Sequence, residues 1–200
     1  GLLYPCFCTR KDIQDEAARS GHAPHGPEGV LYAGTCRGLS ESERDRLVRE
    51  GKPFVLRLNM GEALRALPPP LSSPLETGGG LTGLDRTKGI QTATPEILGD
   101  VVLARKDVMA SYHLCVTLDD HLQGVTLVTR GEDLFYATHL HRLLQHLLGL
   151  NVPEWHHHGL LLDHEGKRFA KRNQSVTLQH LREVEKWSPQ QVMDRIGIAV

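Results

Sequence analysis

The sequence predicts an α/β fold, on three observations. Short apolar runs of strand length alternate with segments of helical period, the pattern of a sheet layered with helices. Two hundred residues, 40% of them hydrophobic and 24% charged, suffice for one core, or a core with a small satellite. The regular alternation begins at residue 99, and the chain before it is interrupted by stretches rich in Gly and Pro.

The elements follow in order. Two cysteines near the start precede a short polar helix over residues 9–19, and a Gly/Pro/His loop covers residues 20–29. Ser40 with Glu43 reads as a capping box that opens a charged helix running to Glu50. Beyond Lys52-Pro53, residues 54–58 read as a strand. Residues 68–89 hold three consecutive prolines and three consecutive glycines, and read as a long surface loop or insertion without a packed element. Residues 101–103 make a short strand. Tyr112, Leu114, Val116 and Leu118 alternate with His113, Cys115 and Thr117, which predicts a half-buried strand and a buried thiol at Cys115.

Gly124 breaks that pattern, and residues 125–129 predict another strand, ending at Arg130. The aspartates 119 and 120 are then expected at a helix N-terminus before Gln123, where carboxylates are electrostatically favoured. Tyr136, Leu140, Leu143, Leu144, Leu147 and Leu148 recur at helical spacing until Gly149 caps the run. Residues 160–162 suggest a last strand, turning at 163–166. Two short helices close the chain, over 178–186 and 189–196, with Ser188 as N-cap before Pro189. His156-His157-His158 alternate sides in an extended segment, so they do not converge on one ion.

Composition narrows the function classes. The net charge of −1 creates no global basic field for nucleic acid, although a local basic strip would be enough. No apolar run is long enough to span a bilayer and no secretory signal opens the chain, which points to the cytoplasm. The first residue is Gly1 rather than methionine and the first motif lies almost at the terminus, so a fragment is expected.

Three of the four cysteines cluster early. Cys6-Phe7-Cys8 is followed by Tyr32-Ala33-Gly34-Thr35-Cys36. Thiolates are strong ligands for Zn²⁺, which takes four donors at tetrahedral angles. A C-x-C pair offers two sulfurs from one turn and Cys36 a third, while Tyr32, His22 and His25 compete for the fourth place. On spacing alone a histidine is favoured, since imidazole is the commoner ligand. The bland alternative is a set of reduced, unliganded thiols.

A family resemblance rests on an ordered set of runs. Gly99-Asp100 and the following valines come first; then Tyr112-x-Leu114-x-Val116-x-x-Asp119-Asp120; then Gly124-Val-Thr-x-Val-x-Arg130-Gly-x-Asp133-Leu134; and last the basic loop Lys167-Arg168-Phe169-Ala170-Lys171-Arg172. In that order they resemble the second part of a class I glutamyl-tRNA synthetase catalytic core. The C-x-C…Y-x3-C cluster is similar to the zinc site of the glutamyl-queuosine tRNA(Asp) synthetase branch, and by that resemblance Tyr32 becomes the fourth ligand beside Cys6, Cys8 and Cys36. The resemblance implies a Rossmann-type class I core, incomplete, with a small zinc-binding insertion. It divides the chain into a zinc segment and connecting helix (1–50), a connecting strand and loop (51–98), the second part of the core with its KMSKS-like loop (99–176), and a short helical tail (177–200).

It further implies a ligase that activates L-glutamate with ATP, together with Mg²⁺, without tRNA, and passes it to queuosine in the anticodon of tRNA(Asp), acting as a monomer. Tyr112 and Arg130 fall at glutamate-binding positions and Lys171 at the ATP-contacting lysine. The residue chemistry agrees: a guanidinium grips a carboxylate in bidentate fashion, and a lysine on a basic loop neutralises charge as pyrophosphate leaves. From pattern alone, Arg130 reads equally as a surface ion-pair residue and Tyr112 as a core tyrosine.

The sequence departs from the family pattern in two places. The HIGH-type motif expected upstream of the first cysteine has no counterpart, and Phe169-Ala170 stand where the loop usually has Leu or Met and Ser. Two further readings remain open: a fragment of a discriminating or non-discriminating glutamyl-tRNA synthetase, and a non-catalytic zinc-containing RNA-binding module.

Overall fold

The computed structural model describes residues 1–20, 25–27, 29–67, 80–105, 109–162 and 177–197. They divide into two units, Gly1–His157 and His158–Val200. In chain order the elements are β1 (Leu3–Cys6), α1 (Arg10–Ser20), β2 (His25–Gly26), β3 (Gly29–Val30), α2 (Glu41–Arg49), β4 (Val55–Leu58), α3 (Met60–Arg65), β5 (Thr82–Asp85), β6 (Gly89–Thr92), β7 (Val102–Arg105), α4 (Tyr112–Leu122), β8 (Leu127–Gly131), α5 (Phe135–Leu148) and β9 (Glu154–His158). The second unit holds α6 (Leu178–Glu183) and α7 (Pro189–Arg195).

Two sheets organise the first unit. In one, β4 lies between β1 and β7 and is antiparallel to both, with Leu3 opposite Leu58 and Cys6 opposite Val55. In the other the order is β6-β5-β9-β8, where β5 runs antiparallel to β6 and parallel to β9. This is a mixed α/β architecture. A core of Leu58, Met60, Ala63, Leu98, Leu103, Leu140, Leu143 and Leu144 joins the first sheet to α3 and α5. Buried Asp100 ties the parts together: it accepts from the Tyr4 hydroxyl at 2.6 Å, from the Met60 amide at 2.9 Å and from Arg37 at 2.9 Å.

Several expectations hold. Ser40 and Glu43 form the capping box of α2, and Ser188 caps α7. Gly149 ends α5 in the left-handed conformation, with φ +65°, which a side chain would strain.

Others are corrected. The alternating stretch from Tyr112 is helix, not strand: the Ser111 hydroxyl accepts from the Leu114 amide and starts α4. Its inward face carries His113 and Thr117, polar residues that the apolar count assigned to the outside, so Cys115 and Tyr112 point outward and are exposed. Asp119 and Asp120 therefore sit in the last turns of α4 rather than at a helix N-terminus. Part of the supposed loop 68–89 is the strand β5 and the start of β6; residues 68–79 lie outside the described residues. Packing made that hairpin: Gly83 lets the Trp155 ring lie on β5, where a Cβ would come within 2.5 Å of the ring. The late strand is β9, before residues 160–162, and α6 ends at Glu183. Among the described residues, no helix is long and apolar enough to cross a membrane.

Candidate functional site

The cysteine cluster forms where β1 ends. Cys6 is its last residue, Cys8 follows on the turn, and Cys36 returns on a one-turn 3₁₀ helix, Thr35–Gly38, entered through Gly34 at φ +89°. The three sulfurs lie within 4.8 Å of one another. Cys8 Sγ stands 3.5 Å from Cys36 Sγ and 3.7 Å from the Tyr32 hydroxyl. Four donors around an ion at a Zn–S distance of about 2.3 Å are ~3.8 Å apart, so the set fits a tetrahedral ion. The Phe7 amide donates to Cys36 Sγ at 3.3 Å and the Cys36 amide to the Tyr32 oxygen at 2.7 Å, which orients both as acceptors.

Burial pushes the Cys8 thiol up to about 12. For Cys36 burial acts upward too, but hydrogen bonds from Tyr32, the Phe7 amide and Cys8 hold it below the usual thiol range. His22 and the His25 side chain lie outside the described residues.

A cavity of about 600 Å³ adjoins this cluster, with Tyr32, Arg57, Arg105, Ser111, Tyr112 and His113 among its walls. Arg57 stacks over the Tyr32 ring, 4.0 Å from its centroid, and donates to the Asp100 carbonyl at 2.7 Å. Tyr112, at the first turn of α4, is 53% exposed, which rules out a core tyrosine.

Arg130 lies one side chain back from the cavity wall. It occupies the penultimate position of β8 and is only 9% exposed, so it is no surface ion-pair residue. Tyr112 and Arg130 converge on His141, Tyr112 with its ring edge at 6.1 Å between centroids and Arg130 Nη1 at 3.2 Å from Nδ1. Arg130 Nε donates to His157 Nε2 at 3.1 Å and Nη2 donates to the Thr138 hydroxyl. The hydrogen-bond partners of this buried cation among the described residues are thus all uncharged, while Asp120 and Asp133 act on it only through their charge. Burial pulls the guanidinium's pKa down. A cation left in that state is a receptor for an anion.

The sequence reading found Tyr112 and Arg130 but missed the groups that surround them: Asp85, Thr138, His141 and His157. Asp85 falls within residues 68–89, which read as loop from the sequence. His157 was weighed only as a metal ligand, although its alternation with exposed His158 was a signal that it faces inward. Lys171, the expected ATP-contacting lysine, lies outside the described residues.

This α/β scaffold, with three clustered cysteines beside an open cavity and a buried guanidinium one side chain behind its wall, is an aminoacyl-tRNA synthetase core. Specifically, the chain belongs to the family described as tRNA synthetases class I (E and Q), catalytic domain, whose model matches residues 1–197. It is 44% identical to the Glutamyl-Q tRNA(Asp) synthetase of Rhodobacter capsulatus over 99% of its length, and 40% identical to that of Nocardia farcinica over 99%. It spans 68% of the first relative and 57% of the second. Among solved structures it is similar to a glutamate tRNA ligase from Elizabethkingia meningosepticum in complex with its amino acid, at TM-score 0.61 and 28% identity, covering 86% of this chain and 32% of that one.

Proposed function

We propose that this chain carries the glutamate-binding portion of an ATP-dependent ligase that activates L-glutamate and transfers it to queuosine in the anticodon of tRNA(Asp). The observation that carries the reading is Arg130: a buried guanidinium whose described hydrogen-bond partners are uncharged, sharing His141 with Tyr112 at the edge of an open cavity. A carboxylate supplies the missing negative charge, and the remaining guanidinium N–H groups grip it with directional specificity. The Tyr112 hydroxyl adds a polar contact to the same ligand. Lys171, on a Rossmann-type core completed by ATP and Mg²⁺, neutralises the triphosphate as pyrophosphate departs. Similarity to two relatives bearing the Glutamyl-Q tRNA(Asp) synthetase name supports the choice of acceptor.

In the same reading Cys6, Cys8, Cys36 and Tyr32 hold a Zn²⁺ ion. Its contribution is structural: it cross-links the end of β1 to the 3₁₀ turn and fixes the Tyr32 wall of the cavity. The protein works in the cytoplasm, where its tRNA resides, as a monomer.

The test is ATP–pyrophosphate exchange by the complete gene product, with and without glutamate and in the absence of tRNA. Glutamate-dependent exchange is expected, followed by label transfer to tRNA(Asp) that contains queuosine but not to the same tRNA without it. Exchange that ignores glutamate would overturn the proposal. Likeness to the Elizabethkingia glutamate tRNA ligase favours a second reading, charging of a tRNA acceptor end. Label on the 3′ end of tRNA(Glu) would decide for it.

A further inference from the structure

Arginine has donors and no acceptor, so any ring nitrogen within hydrogen-bond distance of it must present a bare lone pair. That rule, applied around Arg130, dictates the protonation of three histidines. His157 Nε2 faces Arg130 Nε at 3.1 Å and is therefore bare. Its proton sits on Nδ1, which faces the carboxylate Oδ2 of Asp85. His141 Nδ1 faces Arg130 Nη1 at 3.2 Å and is also bare, so its Nε2 carries the proton. Nε2 then donates to His113 Nδ1 at 3.1 Å, which reaches the cavity wall.

The outer end of this relay is itself locked. Asp85 closes the turn between β5 and β6, with Oδ1 accepting from the Thr87 amide at 2.8 Å, the Thr87 hydroxyl at 2.5 Å and the Lys88 amide at 3.1 Å. Only Oδ2 is left for His157. Burial acts upward on Asp85, but the hydrogen bonds from Thr87, His157 and Lys88 hold its carboxyl at about 2, so it is ionised. Both histidines beside Arg130 are at most 4% exposed, and burial moves both toward the neutral form. A second proton on either would remove the lone pair and place a cation against a cation.

We infer that Asp85 and His157, with His141 and His113, form a tautomer-locked collar that sets the rotation of the Arg130 guanidinium and so aims its unused N–H groups at the ligand carboxylate. These are positioning residues; none needs to touch the reacting atoms. The ligand's identity rests on the glutamate reading above, whereas the collar rests on the geometry alone. The collar turns a floppy side chain into a preorganised receptor, because a guanidinium held at Nε, Nη1 and Nη2 has no remaining freedom about its last torsions.

Nitrogen-15 labelling of the histidines and of Arg130 in the complete chain tests this directly. Long-range proton–nitrogen spectra are expected to show His157 protonated on Nδ1 and bare on Nε2, and the reverse for His141. The Arg130 Nε–H is expected to exchange slowly with solvent. His157→Gln places an amide where Nε2 was and keeps that slow proton. His157→Asn places it where Nδ1 was, and the proton becomes fast. Glutamate affinity, by calorimetry, follows the same order, with Asn weaker by roughly tenfold or more and Gln within about threefold of the parent.

A proton on His157 Nε2, or identical Arg130 exchange in the Asn and Gln variants, would overturn the collar. If the Asn variant fails to fold, the tautomers of the parent chain decide alone. If the spectra come out as expected while glutamate does not bind, the glutamate reading fails and the collar stands.

Discussion

At the residue scale, Arg130 concentrates the chemistry. A guanidinium is removed from water only where something compensates it, and among the described residues its hydrogen bonds go to imidazoles and a hydroxyl rather than to a carboxylate. The lack of a hydrogen-bonded carboxylate among the described residues is the argument for a carboxylate ligand. Removing one partner from such a buried, charge-assisted pair costs about 2–5 kcal/mol, roughly 30-fold to several-thousand-fold in affinity. Arg130→Ala is therefore expected to weaken glutamate by at least that lower factor in calorimetry, while leaving the far-ultraviolet circular dichroism of the chain unchanged. Arg130→Lys keeps the charge but loses the fork, and is expected to recover little.

At the element scale, two short features hold the site in place. The first is the cap of α4. Ser111 Oγ accepts from the Leu114 amide, so the helix begins at Tyr112 and delivers its ring to the cavity. Ser111→Ala is expected to cost about 1 kcal/mol, which for a chain of this size is a fall in Tm of roughly 2–4 °C, with a rise in the glutamate KM. The second is the cysteine knot between β1 and the 3₁₀ turn. Elemental analysis of purified chain is expected to give one zinc per molecule, and Cys36→Ser to abolish it. Breaking a buried polar cluster of this kind costs about 3 kcal/mol, which is a Tm loss of roughly 6–12 °C. A zinc-free parent chain with unchanged stability would refute the metal assignment.

At the scale of the first unit, pH reports the collar. Burial, then the charge of Arg130, holds His141 down to about 3, against about 6.5 in an unfolded chain. The folded pKa is the lower of the two, so between them the unfolded state binds the extra proton. Stability from this source is complete above about 6.5 and is lost as the pH falls toward about 3. Asp85, held at about 2, adds a second loss that sets in below about 3.9. Tm is expected to be flat above pH 6.5 and to fall steadily below it. His141→Gln is expected to flatten the upper part of that fall, measured by calorimetric scans at fixed ionic strength.

Local signals were legible because their physics is local. A capping hydroxyl three residues before its carboxylate, a glycine after a leucine stripe, and cysteines at C-x-C spacing name their structures without help from the rest of the chain. They gave α2, α5, α7 and the sulfur cluster directly. The order of Tyr112 and Arg130 within a known set of runs gave two residues that both touch His141. What only the tertiary structure decided was the state of segments whose inward face is polar. The stretch from Tyr112 reads as a strand when leucine and valine are counted as buried, and becomes a helix once His113 meets His141 across the core and the Thr117 hydroxyl donates back to the His113 carbonyl one turn earlier. The hairpin of β5 and β6 looks like loop until Trp155 lies against Gly83. Asp85 and His141 carry no pattern, and alternation marks His157 as inward without naming its partner, because the hydrogen bonds that make them neighbours of Arg130 join residues 11 to 72 positions apart. Burial of apolar surface repeats with the backbone and can be read along a chain; pairing of buried polar groups depends on which distant segments meet, and no periodicity records it.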